Sequence, residues 1–427
     1  MLWLYRLLFL PTLLLLAPRY LGRMKRRGGY RENFSHRFGA LPVLPPKRVG
    51  VKRVWLQAVS VGEMLAIEPL LQALRRDGVE VYLTTTTSTG YRLAIDHYTG
   101  VTVGIGYFPL DWWLFSARAW RRLAPDLAII TEGERWPEHL RQAARRRVPV
   151  LCINARMSDR SFRRMKQFGR VAHLMLDGLT RVLPCSAQDG AHFRDLGVPA
   201  EKISTTGNLK FDVEIPLLDN AERAQLRREL GLGGGVVLVG ASTWPGEEQA
   251  LMAALQLARG RGLSCHLLLV PRHAERRFEI AQMLQATGLK FHLRSNGVAT
   301  NEVDVAVGDT TGELRKLLQL ADLVFVGKSL PPHTEGQTPV EAAALERPIF
   351  FGSGMANFRV LARDLLARGA ALEVASAAVL PAFAVDLLGD PHRRSALAAA
   401  AAQWHHDNAG ATERTLTIIR EELAKRS

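Results

Sequence analysis

The sequence has only three cysteines in 427 residues, Cys152, Cys185 and Cys265. Each lies in or beside an apolar run, and no two share a zinc or redox spacing. That excludes a disulfide framework and a thiolate metal site, and reads as buried free thiols in a reducing compartment. No histidine–carboxylate cluster has metal-ligand spacing, so neither a metal nor a cofactor is expected. The phosphate-loop lysine of a Walker motif is missing, as is Gly-x-Gly-x-x-Gly, so neither triphosphate hydrolysis nor nicotinamide chemistry is indicated. No short-period repeat occurs. Acidic residues are in deficit, 41 against 56 Lys plus Arg, for a net charge of +15. Such a balance fits an acidic partner: nucleic acid, an anionic membrane surface or a phosphorylated substrate. With no helix-turn-helix, zinc-finger spacing or RNA-binding aromatic signature, nucleic acid is the weakest of the three.

The apolar run at residues 2–21 is interrupted by Arg6, Pro11 and Pro18, and only residues 7–18 are free of charge. A spanning helix wants about 20 apolar residues, so this one is short. A basic cluster follows at Arg19, Arg23, Lys25, Arg26, Arg27 and Arg31. A cleaved signal carries its charges before the apolar core, and here the order is reversed. Residues 1–22 therefore read as an uncleaved anchor with its basic side in the cytoplasm. Whether it spans the bilayer or lies in the interface stays open, with a buried apolar helix as the alternative.

The apolar fraction, 47%, is enough for large cores. Residues 40–50, with Pro42, Pro45 and Pro46, read as a linker, and after them strand and helix patterns alternate. Strands are predicted at 54–59, 79–84, 101–108, 126–131, 148–153 and 181–185, then at 236–241, 264–270, 303–307, 322–327 and 348–352. Helices are predicted between them, among others at 63–76, 160–175, 312–319 and 338–346. This is the sequence form of parallel sheets covered on both faces. The fold class is α/β, with two tandem Rossmann-like doubly wound domains, at 23–206 and 236–390. A linker is expected at 207–235, rich in Pro, Asp-Asn and Gly, and a helical segment at 391–427. Both domains place polar, glycine-containing turns after their strands, where open α/β sheets bind ligands. Two such edges facing a cleft suit an enzyme that joins two substrates.

Several turns carry candidate chemistry. Glu63 sits where the apolar run 54–60 ends and a helix begins. Free N–H groups and the dipole favour a carboxylate there, and it can act as a base or simply cap its helix. Pro271-Arg272-His273 follows an apolar strand, and Arg272 can take a phosphate in bidentate fashion or lie in a surface loop. The turn Gly308 to Leu314, with Thr310, Gly312 and Glu313, offers close backbone approach and helix N–H groups to an anion. In Gly336-Gln337-Thr338-Pro339-Val340-Glu341 the acid can accept from a ribose diol or merely pair with its helix dipole. Glu132 and Glu134 follow a buried strand and need partners; Arg156 and Arg160 are candidates for that pairing, or for substrate phosphate. Lys210, in Gly-Asn-Leu-Lys-Phe-Asp, is placed near the cleft.

Together, Ser-Val-Gly-Glu at 60–63, Glu-x-Glu-x-Trp-Pro at 132–137, Asn-Ala-Arg-x-Ser at 154–158, Gly-Asn-Leu-Lys-Phe-Asp at 207–212, Val-Pro-Arg-His at 270–273, Gly-Asp-Thr-x-Gly-Glu-Leu at 308–314 and Glu-Ala-Ala at 341–343 resemble, in this order, the 3-deoxy-D-manno-octulosonic acid (Kdo) transferases of Gram-negative bacteria. The resemblance covers nearly the whole chain. It implies the GT-B fold, and inverting transfer of Kdo from CMP-Kdo to the lipid A precursor at the cytoplasmic face of the inner membrane, in lipopolysaccharide synthesis. On that reading Glu63, with Glu134, is catalytic. Ser60, Gly62, Arg156 and Arg160 face the acceptor. Lys210, Arg272, His273, Thr310, Gly312, Glu313, Gly336, Gln337, Thr338 and Glu341 face the donor. The chain departs from the family at Pro331 to Thr338, which replaces a Gly-Gly-His-Asn turn, and at Lys328, where a glycine is usual. Another inverting transferase with a different donor or acceptor is the nearer alternative; a catalytically silent membrane-surface binding protein is the more distant one.

Overall fold

A computed structural model of the chain describes residues 1–26, 33–133, 135–212 and 215–425. The alternating pattern folds into two units, Met1–Asp212 with Ala409–Ser427, and Val213–Asn408. The first holds β1 (Arg53–Gln57), β2 (Glu80–Thr85), β3 (Gly104–Tyr107), β4 (Leu127–Thr131), β5 (Val150–Ala155) and β6 (Arg181–Pro184). They form one sheet in the order β3-β2-β1-β4-β5-β6, all parallel. Chain direction across the sheet reverses between β1 and β4, the switch point at which doubly wound sheets bind ligands. Successive side chains of β1 point to opposite faces. Val54 and Leu56 join Leu70, Leu71 and Leu74 in one core layer, while Trp55 joins Trp120 and Leu123 in the other. Each leucine so buried contributes roughly 1.5–3 kcal/mol.

The second unit holds β7 (Val236–Thr243), β8 (Cys265–Pro271), β9 (Phe291–Leu293), β10 (Val305–Val307), β11 (Leu323–Val326), β12 (Ile349–Gly352) and β13 (Leu372–Val374). Its order is β13-β12-β11-β7-β8-β10-β9, again all parallel. The switch point here lies between β7 and β11.

Several predicted elements differ. The helix expected at 63–76 is two, Val61–Ala66 and Glu68–Arg76, because Pro69 supplies no N–H and starts a fresh first turn. The segment 160–175 likewise divides into Asp159–Gln167 and Gly169–Leu176 around Phe168. The expected linker 207–235 contains the helix Asn220–Glu229, opened by a capping box between Asp219 and Glu222. The helical segment expected at 391–427 consists of two helices, Pro391–Asn408 and Ala411–Ala424, divided at Gly410 with φ +83°. The second packs Leu416 and Ile419 into the layer of Leu70, Leu71 and Leu74. Asp212 holds its start, accepting from the N–H of Gly410 at 2.7 Å and from that of Thr412.

The expected anchor is a helix, Leu2–Arg26, with Pro11 and Pro18 inside it. Among the described residues no helix is long and apolar enough to cross a membrane. Two polar side chains near its start, Tyr5 and Arg6, turn inward. Arg6 makes a bidentate pair with the fully buried Glu138, at 2.9 and 3.0 Å, and the Tyr5 hydroxyl donates to buried Asp111 at 2.6 Å. Asp111 also accepts from the N–H groups of Glu138 and His139. Trp3, Leu7 and Leu15 are turned outward and exposed. Of the basic cluster, Arg27 and Arg31 lie outside the described residues, and so do the side chains of Arg19, Arg23, Lys25 and Arg26.

Burial pushes the Asp111 carboxyl up to about 6, against the lowering effect of the Tyr5 hydroxyl and the two N–H groups. Its folded pKa thus exceeds its unfolded value of 3.8. The folded state holds the extra proton between these values, so this group alone makes stability fall as pH rises from about 4 to about 6. A carbon-13 NMR titration should find Asp111 titrating near 6, and Tyr5→Phe, which removes a lowering hydrogen bond, should move it higher.

Candidate active site

The first unit gathers its motif residues beyond the carboxyl ends of β1, β4 and β5. Ser60 caps the Val61–Ala66 helix, accepting from the Glu63 N–H at 3.3 Å, and returns its own hydroxyl to Glu63 Oε1 at 3.0 Å. Glu63 Oε2 accepts from the Val59 N–H at 2.9 Å and from the Thr131 hydroxyl at the end of β4. Ser60 is therefore the helix cap, and Glu63 is the strap across the β1–β4 switch point. A carboxylate oxygen has two lone-pair directions. Oε2 has both filled, whereas Oε1 has one bond and one direction left. Glu63 is 8% exposed, so that remaining direction belongs to a nearly water-free carboxylate. Gly62 leaves the approach open, since a Cβ there would meet only Ser60 Oγ, at 3.9 Å.

The ion pair expected for Arg156 or Arg160 forms elsewhere. Glu132 takes the Lys210 ammonium at 2.6 Å, and Arg156 and Arg160 are exposed. Lys210, placed with the donor residues by the sequence, thus belongs to the first unit and neutralises Glu132. The reason is local. Asn154 Oδ1 accepts from the Leu209 N–H at 3.0 Å, which draws the 207–212 segment, with its 3-10 turn Leu209–Phe211, onto the end of β5 and brings Lys210 over Glu132. Glu134 lies outside the described residues.

In the second unit the corresponding edge is tied by Glu247, in the helix Glu247–Gly260. Its buried carboxylate accepts four backbone N–H groups: Trp244 at 2.9 Å, Lys328 and Ser329 at 2.8 Å each, and Leu330 at 3.1 Å. Burial raises its pKa despite those donors. Arg272 and His273 follow β8 and are exposed. The His273 ring meets the Trp244 ring edge-on, 5.3 Å between centroids. Thr310 donates to Glu313, which also pairs with Arg294 at 3.4 Å. Burial acts to raise Glu313, but the hydroxyl and the guanidinium more than offset it and hold the carboxyl below its ordinary range. Thr310 and Glu313 thus satisfy each other, and Gly312, φ +88° with open space around it, leaves the backbone of that turn accessible. Gly336, φ +71°, has no room for a side chain: Met355 Sδ would lie 2.5 Å from a Cβ. Thr338 accepts from the Val340 N–H. Gln337 is half-buried beside it. Burial raises the Glu341 carboxyl, and its Oε2 is buried without a hydrogen-bond partner among the described residues. Such an acceptor is ready for a ligand hydroxyl.

Thr131, Asn154, Trp244 and Glu247 carry as much of this arrangement as the residues singled out from sequence. Asn154 lies inside a quoted motif and Thr131 directly precedes one. Glu247 and Trp244 carried no signal that singled them out in the sequence.

The family model for 3-deoxy-D-manno-octulosonic-acid transferase (kdotransferase) matches residues 32–213. The 3-deoxy-D-manno-octulosonic acid transferase of Bordetella pertussis is 37% identical, over 94% of this chain and 94% of that one. The Haemophilus influenzae enzyme of the same name is 31% identical, over 98% and 96%. The crystal structure of Anabaena HepE in complex with UDP superposes with a TM-score of 0.56 at 16% identity, covering 87% of this chain and 99% of that one, a likeness of fold alone. The fold is GT-B, and the chain is a glycosyltransferase that belongs to the 3-deoxy-D-manno-octulosonic acid transferase family.

Proposed function

We propose that the chain transfers Kdo from CMP-Kdo to the lipid A precursor at an anionic membrane surface, with Glu63 as general base. The observation that carries this reading is the state of Glu63: a buried carboxylate fixed by three donors, with one lone-pair direction of Oε1 unused. The acceptor hydroxyl donates into that direction. As its oxygen bonds to the anomeric carbon of Kdo, the proton passes to Oε1. The bond from that carbon to the phosphate oxygen breaks, its electron pair leaves with CMP, and the configuration inverts. CMP carries one phosphate, which the exposed guanidinium of Arg272 and the accessible backbone at Gly312 can receive. Glu341 accepts from the ribose. Lys210, paired with Glu132, holds the acceptor side together rather than meeting the donor. An assay for CMP release from CMP-Kdo, with and without lipid A precursor, tests the reading. Release only with a different nucleotide sugar would favour the alternative that the altered 331–338 turn suggests.

The outward face of the Leu2–Arg26 helix supports a membrane-surface location. The apolar side chains Trp3, Leu7 and Leu15 are 80%, 72% and 81% exposed, while Tyr5 and Arg6 are turned to the protein. That is the reverse of a water-facing helix and suits one lying in the interface. The basic cluster that follows adds about 1 kcal/mol per residue near anionic lipid.

Glu63→Gln should fold and bind CMP as wild type does, yet lose on the order of a hundredfold or more in turnover. The amide oxygen can take the place of Oε2 and the Ser60 hydroxyl can turn to accept from the amide nitrogen, but no proton can be taken up. Wild-type-like turnover would remove Glu63 as the base.

Thr131→Val deletes one of the two donors on Oε2 without changing shape. Turnover should fall roughly tenfold, the cost of one hydrogen bond to a charged group, with donor KM unchanged. Steady-state kinetics decide it, and an unchanged turnover would show that the strap is dispensable.

Replacing Trp3, Leu7 and Leu15 together by Ser should leave the fold and CMP binding intact and weaken binding to vesicles containing anionic phospholipid. Co-sedimentation is the measurement, and undiminished binding would place the membrane contact elsewhere.

A further inference from the structure

Lys328 occupies a backbone conformation that lysine rarely adopts. Its φ is +58°, in the left-handed region that glycine fills without strain. The strain is held from both sides, for the Lys328 N–H donates to Glu247 and its carbonyl accepts from the Gly336 N–H at 2.8 Å. Ser242, at the end of the neighbouring β7, is also left-handed, φ +55°, and its carbonyl lies so close to Gly327 that a Cβ there would be 2.4 Å away. The ends of β7 and β11 are thus pressed together, and one result is the position of the Lys328 side chain. Its ammonium sits 4.2 Å above the centre of the Trp244 ring. The Trp244 backbone is fixed by the same Glu247.

The surroundings of this ammonium are poor in acid. Glu335 approaches at 3.5 Å from a solvent-exposed position. Against the other sides of the indole stand His273 and His333, with ring centroids 5.3 and 5.6 Å from it. The indole N–H is buried and has no partner among the described residues. A surface ion pair with Glu335 needs neither the left-handed backbone nor the aromatic support, and exposed pairs contribute little. What the arrangement does provide is a half-buried cation, preset on a ring, beside an unmet donor, in the same strand-end cluster as Arg272, whose N–H donates to the carbonyl of Thr243, the residue before Trp244, at 3.2 Å.

We infer that Lys328, supported by Trp244, recognises the carboxylate of the donor sugar and so selects a sugar acid. The inference rests on the proposed donor, which carries two anionic groups, the phosphate of CMP and the carboxylate of Kdo. Arg272 and the Gly312 turn receive the first, and Lys328 receives the second. Lys328 is a specificity-determining residue that replaces the glycine usual at this position, and Glu247 is the positioning residue that fixes both it and Trp244.

The test compares two affinities in the full-length enzyme: the KM for CMP-Kdo and the dissociation constant for CMP, which lacks the sugar. Lys328→Met should raise the first by roughly ten- to a hundredfold, the range for a lost hydrogen bond between charged groups, and leave the second within about twofold. Lys328→Gly should show the same selective loss while relaxing the left-handed turn, which separates charge from folding. Lys328→Arg should recover most of the donor affinity. If both constants rise together, Lys328 binds the phosphate and the inference is overturned. It is equally overturned if neither changes. If wild-type enzyme releases no CMP from CMP-Kdo, the donor reading itself fails, a result distinct from either.

Discussion

A buried carboxylate stands at the switch point of each sheet, and the ligand edges depend on it. In the first unit Glu63 ties the turn after β1 to Thr131 at the end of β4. In the second, Glu247 ties the turn after β7 to the three N–H groups that follow β11. Both acids lie in the first turn of the helix after the unit's first strand. A sheet that reverses its winding leaves a gap where the two crossover helices part. The backbone N–H groups bordering that gap have no strand partner, and a carboxylate satisfies several at once. The two acids differ in what remains. All of the donors on Glu247 are backbone N–H groups, and it serves as a fixture. Glu63 keeps one direction on Oε1, and that difference separates a structural acid from a reactive one.

The alternation of strands and helices was legible because buried parallel strands are near-continuous apolar runs. The elements that escaped lack that signal. β9 and β13 are three residues each, at the two edges of their sheet, and only Val374 among their six residues is buried. The helix Asn220–Glu229 has one buried residue, Leu226, so no apolar stripe marked it. At the site, the motif strings named the right turns, but the sequence could not say which charges meet. Glu132 has an arginine at 135 in its own motif and others at 156 and 160, yet its partner is Lys210, 78 residues away. Pairing there is decided by Asn154, whose amide draws the Leu209 backbone in. Thr131 is similar: its hydroxyl matters because β1 and β4 are neighbours in space, which spacing along the chain does not reveal.

The amino-terminal helix shows how the same residues read differently in one and three dimensions. In the sequence, Arg6 interrupts an apolar run and weakens the case for an anchor. In the folded chain it is what orients the helix. A guanidinium paired bidentately with a carboxylate of zero exposure fixes rotation about the helix axis, and Tyr5 on Asp111 fixes it again one residue earlier. With that rotation set, Leu7 and Leu15 face away from the protein.

The first unit is completed by a helix that the ribosome makes only after the whole of the second unit. Roughly two hundred residues of the second unit, Val213–Asn408, are translated between Asp212 and the Ala411–Ala424 helix that its carboxylate caps. At ordinary elongation rates that is a delay on the order of ten to forty seconds. Throughout it Leu70, Leu71 and Leu74 lack the cover that Leu416 and Ile419 later provide, and Asp77 and Arg181 lack Arg420 and Glu422. The second unit is uninterrupted in sequence and has no such wait. The nascent chain therefore carries its apolar amino-terminal helix and an unclosed hydrophobic groove at the same time, and the order of synthesis makes the unit that begins first the one that finishes second.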